Sequence, residues 1–163
     1  MNAADLKPLL LREPRLMLAV AESLTCGRVQ ARVGAVSGAS EYFLGGVTAY
    51  SLEQKVTLLG VERTAAETVN SVSAAVAEQM ACGACALFNA DIAVATTGYA
   101  EPNAEWKIPH PFAWWAVARR DGAKFIVSKG RGEFPGASRT EVQERVADEA
   151  ITALAAFLRE ARR

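Results

Sequence analysis

Glu22, Ser23, Thr25, Ser40, Tyr50, Ser51 and Lys55 lie close together in the first third of the chain, and Thr97 ends a later apolar run. The chemistry open to such a set is nucleophilic. A serine hydroxyl attacks a carbonyl carbon once a base removes its proton, and a lysine whose pKa is lowered by partial burial is such a base. The same residue types also have a structural use: serines at turns cap helices and lysines are ordinarily solvated, so spacing alone leaves both readings open.

Other chemistries find less support. Cys82-Gly83-Ala84-Cys85 has the redox spacing C-x-x-C, but it falls deep inside a predicted helix, away from the helix N-terminus where a thiol pKa is lowered. It reads as small buried residues on a packing face. A zinc site lacks ligands, since the chain has one histidine, His110, read as a loop residue, and no second cysteine pair. Neither a P-loop nor a G-x-G-x-x-G fingerprint follows a predicted strand, which argues against nucleoside-triphosphate chemistry. Trp106, Phe112, Trp114 and Trp115 can stack on a base, although the alternation of the last three equally suits a half-buried strand.

The elements that must position these groups follow from pattern. A short helix is expected over 4–12, ended near Pro14, and then a strand over 16–20 running into Glu22-Ser23. A helix over 28–36 leads to a turn at Ser37-Gly38-Ala39-Ser40, so two serine-bearing turns flank one helix. A strand over 46–50 passes into a helix over 51–59 closed by Gly60, with Lys55 inside it. Ser73 opens a further helix whose Val72, Val76, Met80 and Leu87 share a packing face. A buried strand over 91–96 ends in Thr97-Gly98, where α/β sheets put ligand-binding loops. A long proline-containing loop, a hairpin of 112–118 and 124–128 around Asp121-Gly122, and an amphipathic helix over 140–162 complete the chain. No repeat or low-complexity segment is visible.

With 163 residues the chain fits one domain, read here as 1–163, and needs no disulfide or metal to build a core. Eighteen basic residues balance eighteen acidic ones, so no global field favours nucleic acid or an anionic membrane, and any anionic ligand must be held locally. The N-terminal residues lack the basic-then-apolar order of a secretory signal, no apolar run reaches transmembrane length, and three cysteines make an odd number. A cytoplasmic setting is the expectation.

Glu22-Ser23-Leu24-Thr25-Cys26-Gly27, Gly38-Ala39-Ser40, and Gly46-Val47-Thr48-Ala49-Tyr50-Ser51 followed by Lys55 resemble the C-terminal domain of competence/damage-inducible protein CinA. Family patterns read roughly E-S-C-T-G-G, P-G-S-S and G-x-x-T-Y-S-N-x-x-K, and the intervals between them are kept. The likeness continues through Val72-Ser73 and Thr97-Gly98-Tyr99-Ala100 to Phe134–Arg139. Stand-alone members are nicotinamide mononucleotide deamidases. The resemblance implies a three-layer α/β/α sandwich with a mixed, largely parallel central sheet, and a serine amidohydrolase that needs no cofactor and no metal. It implies Ser40 as nucleophile with Lys55 as base, Ser23 as rival nucleophile or proton relay, and Tyr50 positioning the pair. Thr25, Thr97 and backbone amides near Ser23 would serve the oxyanion or the substrate, and Glu22 would hold ribose or organise its loop. Gly27, Ser51, Gly98 and Arg139 complete the substrate-binding set. The expected partner is a small molecule, a pyridine mononucleotide or related amide. Family members tend to self-associate, a role the Trp114-Trp115 segment can share.

Three segments depart from the family. One glycine of T-G-G is Cys26. The loop T-G-I-A-G-P-G-G-G becomes Thr97-Gly98-Tyr99-Ala100-Glu101-Pro102-Asn103-Ala104-Glu105, losing the glycines that let backbone N–H groups wrap a phosphate and gaining carboxylates that repel one. K-P-V-G becomes His110-Pro111-Phe112-Ala113, and G-D-R becomes Ala137-Ser138-Arg139, with Gln143 where an arginine often follows. The altered loop admits a second reading, a family member without deamidase activity that binds a small ligand or a partner.

Overall fold

The structure, a computed structural model, describes residues 3–161. Its five strands are β1 (Leu18–Glu22), β2 (Phe43–Thr48), β3 (Ile92–Tyr99), β4 (Phe112–Asp121) and β5 (Lys124–Glu133). The helices are α1 (Leu6–Leu11), α2 (Arg28–Gly34), α3 (Leu52–Leu59), α4 (Arg63–Thr68), α5 (Ala74–Phe88) and α6 (Arg139–Glu160). One sheet runs β2-β1-β3-β4-β5, parallel through the first three strands and antiparallel through the last three. The expected three-layer α/β/α arrangement is the one observed, and its mixed sheet divides evenly between two parallel and two antiparallel pairings.

Alternation inside the central strands explains the layers. Leu18, Val20, Ile92, Val94, Trp115 and Val117 point to one face, where they pack with helix residues such as Leu6, Val29, Ile151 and Leu154. Ala19, Ala21, Ala93, Ala95, Ala116 and Ala118 point to the other, beneath Val76, Met80 and Ala81 of α5. An alanine floor lets an Ala- and Cys-rich helix sit close to the sheet, because the distance between packed layers is set by the side chains at the contact. The crossover β1-α2-β2 runs over the first face and β2-α3-α4-α5-β3 over the second, as right-handed connections in opposite directions require.

Most predicted elements are present with shifted ends: β1 begins later than expected and β2 earlier. The last expected residue of the C-terminal helix, Arg162, lies outside the described residues. α4 was not anticipated. Leu87, expected on the packing face of α5, is 45% exposed, because the buried arc is centred on Ala77, Ala81 and Ala84 and Leu87 falls at its margin. Trp115 is core, packed under Gly130, while Trp114 is half-buried with Arg131 over its ring. Among the described residues no helix is long and apolar enough to cross a membrane.

Candidate active site

β1 passes to α2 on one face and β2 to α3 on the other, so a crevice opens between their carboxyl ends. Open α/β sheets take ligands at such a place. A cavity of about 440 Å³ lies there, bordered by Ser23, Lys55, Ser71, Tyr99, Glu101 and Arg139 among others.

Ser23 follows β1 directly, and its N–H donates to the Thr96 carbonyl at 3.1 Å, which extends the sheet edge by one residue. Lys55 comes from α3. That helix starts where the Ser51 hydroxyl accepts from the Gln54 N–H and ends at Gly60, whose φ of 65° suits glycine. The result is a lysine turned inward and only 2% exposed. Its Nζ donates to Ser23 Oγ at 3.0 Å and to the Tyr50 carbonyl at 2.8 Å. Burial disfavours the ammonium form and pushes the Lys55 pKa down to about 8. A hydroxyl and an amine that can be neutral near physiological pH therefore meet inside a cavity.

Ser40 is not brought to Lys55. It is exposed on the 3₁₀ turn Ala39–Glu41, ahead of β2, whereas Ser23 and Lys55 follow the far ends of their strands. Because β1 and β2 are parallel, with Leu18 beside Phe43 and Glu22 beside Thr48, the length of a strand, roughly 20 Å at the usual rise per residue, separates Ser40 from the cavity. The partner of Lys55 is Ser23.

The other expected residues fall into place unevenly. Tyr50 holds Lys55 through its carbonyl, while its side chain is exposed and its hydroxyl accepts from Arg139 at 2.7 Å. Glu22 is fully buried and does not border the cavity: its carboxylate accepts from the N–H groups of Gly27, Val29 and Gln30 at 2.9–3.1 Å, closing the N-terminus of α2. Gly27, with φ of 94°, is the residue that turns the chain into α2. Thr25 shares a buried hydroxyl pair with Thr96 at 2.8 Å, and Thr97 donates to the Ser71 carbonyl at 2.7 Å. Both hydroxyls are thus engaged within the protein. Ser51 caps α3. Gly98 borders the cavity, and a Cβ there would stand 2.6 Å from the Phe112 carbonyl, so strand spacing accounts for it. Cys26 takes a left-handed φ of 50°, strained for a residue with a side chain.

Two cavity residues, Asn70 and Ser71, escaped sequence reasoning. Asn70 and Ser71 adopt left-handed φ of 47° and 61° in succession beside the cavity. Asparagine tolerates that region, so the strain falls on Ser71, a signal that only the backbone shows. Gln143, on α6, donates to the Leu24 carbonyl at 2.9 Å and so fixes the turn after Ser23. Glu101 accepts from Arg139 at 2.9 Å. Glu105, the loop's other carboxylate, does not border the cavity, and neither do Trp106, Phe112, Trp114 or Trp115. Arg131 lies over the Phe112 and Trp114 rings, and His110 pairs with Glu133. Cys85 is buried within α5, and burial pushes its thiol up to about 12, as the packing reading of Cys82-Gly83-Ala84-Cys85 requires.

Comparisons with known proteins give this arrangement its relatives. The chain is 45% identical over 96 residues to a CinA-like protein of Picosynechococcus sp., a stretch covering 59% of this chain and 23% of that protein. It thus spans about a quarter of the length of the curated relatives it matches. In three dimensions it is similar to competence damage-inducible protein A of Klebsiella pneumoniae, with a TM-score of 0.84, 28% identity, and coverage of 97% and 98% of the two chains. It is also similar to competence/damage inducible protein CihA of Agrobacterium tumefaciens, with a TM-score of 0.80, 29% identity, and coverage of 94% and 89%. The profile of the CinA C-terminal domain matches residues 3–158, and the chain belongs to that family.

Proposed function

We propose that this chain is a serine amidohydrolase in which Ser23 attacks a carboxamide carbon and Lys55 is the base. The observation that carries the reading is the 3.0 Å contact between a buried amine and a hydroxyl at a cavity floor. The neutral amine takes the Ser23 proton as Oγ bonds to the amide carbon. Negative charge gathers on the former carbonyl oxygen. Hydrogen bonds inside the turn use the N–H groups of Cys26, Gly27 and Arg28, which leaves that of Leu24, a residue bordering the cavity, as a donor to that oxygen. Lys55 then returns the proton to the departing nitrogen, ammonia leaves, and an acyl-serine remains. Water, deprotonated by Lys55, attacks the ester, and the carboxylate departs as Ser23 regains its proton. Nicotinamide mononucleotide, converted to nicotinate mononucleotide and ammonia, is the substrate the family resemblance implies.

The test is ammonia release from nicotinamide mononucleotide and from its nucleoside, with Ser23→Ala, Lys55→Ala and Ser40→Ala beside the parent. The first two are expected to lose at least about a thousandfold in kcat while keeping the far-UV circular dichroism of the parent. Ser40→Ala is expected to stay within about twofold, since surface positions away from a site rarely matter. Ammonia release that survives in Ser23→Ala, or a folded parent that releases none from either amide, sinks the reading.

A further inference from the structure

The charge inside the cavity is already spent. Its lining contains Lys55, Glu101 and Arg139 as ionisable groups other than tyrosine. Lys55 is held by Ser23 and the Tyr50 carbonyl. Arg139 donates through one nitrogen to Glu101 at 2.9 Å and through another to the Tyr50 hydroxyl at 2.7 Å. These three residues come from the segments after β2 and β3 and from the first turn of α6, so the guanidinium is engaged from two sides at the cavity rim. An incoming phosphate finds its natural fork-shaped partner at the exposed rim occupied by a carboxylate of the same chain, and that carboxylate stays beside it if displaced.

What the cavity offers in place of charge is neutral hydrogen bonding. Ser71 is 7% exposed, its N–H donates to the Ala66 carbonyl and its own carbonyl accepts from Thr97. Its hydroxyl makes no hydrogen bond among the described residues and Ser71 borders the cavity, so that group is free to meet a ligand. Asn70 holds the Tyr99 hydroxyl at 3.1 Å through its amide nitrogen, and Asn103 also borders the space. Hydroxyl and amide groups of this kind match a sugar, an alcohol or a second amide.

We infer that Glu101 excludes phosphate from this cavity, and that the carboxamide taken by the Ser23–Lys55 site carries neutral hydroxyl groups without a phosphate, as a nucleoside does. The inference rests on the amidohydrolase reading for the reaction and stands on the Glu101–Arg139 pair for the selectivity. Paired with Glu101 at the water-facing rim, Arg139 offers a phosphate dianion roughly tenfold less attraction than an unpaired guanidinium would.

The experiment is calorimetric binding and ammonia release with nicotinamide mononucleotide and nicotinamide riboside, for the parent, Glu101→Gln, and the double variant Glu101→Gln with Arg139→Gln. The parent is expected to bind the riboside at least as tightly as the mononucleotide, and Glu101→Gln to move the ratio of the two Kd values roughly tenfold towards the mononucleotide. The shift is expected to vanish in the double variant, because Arg139 is the cation that Glu101 masks. A parent that prefers the mononucleotide, a ratio unmoved by Glu101→Gln, or binding of neither ligand overturns the inference. If the parent releases ammonia but prefers the mononucleotide, the amidohydrolase reading stands and the selectivity falls. The shifted ratio without ammonia from either amide keeps the selectivity and removes the amidohydrolase.

Discussion

Burial strips Lys55 of the water that would hold its ammonium form, and the consequence reaches both stability and rate. The folded pKa of about 8 lies below the ordinary lysine value of 10.5, so between these limits the unfolded chain binds this proton more tightly. The cost of charging Lys55 is therefore present in full below about pH 8, and stability climbs as pH rises from there towards 10.5. Lys55→Met is expected to flatten that climb, whose height is at most about 3 kcal/mol, as read from urea midpoints across the alkaline range. In catalysis the free amine is the working form, so kcat/KM is expected to rise with pH as one proton leaves, with a midpoint near 8. Glu22 makes the opposite use of burial. Its carboxylate satisfies three N–H groups of α2 and its approach, and Glu22→Ala is expected to destabilise by about 2–4 kcal/mol in urea titration, with Glu22→Gln recovering part of the loss.

Among the elements, α3 and α5 set the reach of Lys55. A Cβ at Gly83 would stand 2.0 Å from the carbonyl oxygen of Leu59, so the two helices touch where only a hydrogen fits. Gly83→Ala is expected to cost about 2 kcal/mol or more in thermal or urea unfolding, because the obstacle is backbone and cannot swing aside. Amide hydrolysis is expected to fall with it, although no cavity residue is altered, since α3 carries the base. Gly34 on α2 is the control: nothing lies within 4 Å of an added Cβ and its φ is ordinary, so Gly34→Ala is expected to be neutral or to stabilise by about 0.5–1 kcal/mol. Helices announced by their ends were legible in the sequence. Ser51, Gly60 and Ser73 cap where their types suggest, and Asp121-Gly122 marks the hairpin. α4 was hidden because it is six residues long and capped by Glu62, too short for periodicity and outside the usual capping residues.

At the scale of the molecule, what the sequence could not reveal was which strand ends meet. Ser40 is nearer to Lys55 along the chain than Ser23 is, and only the parallel register of Glu22 with Thr48 shows that Ser23 shares its end of the sheet. Asn70, Ser71 and Glu101 joined the cavity for the same reason, as contacts between segments that no local pattern connects. The two faces of the sheet are packed through the same alternating strands, so neither layer has an independent core. Far-UV circular dichroism and tryptophan fluorescence, which Trp114 and Trp115 report from β4, are expected to melt together in one transition. The cavity wall also has an order in time. Its groups enter the chain from Ser23 to Arg139, and Arg139 opens the last helix. A nascent chain that has left the ribosome only as far as β3 already contains both Ser23 and Lys55, yet it has neither the rim cation nor the helix that steadies the Leu24 carbonyl. The site is thus closed to substrate selection until α6 has been synthesised.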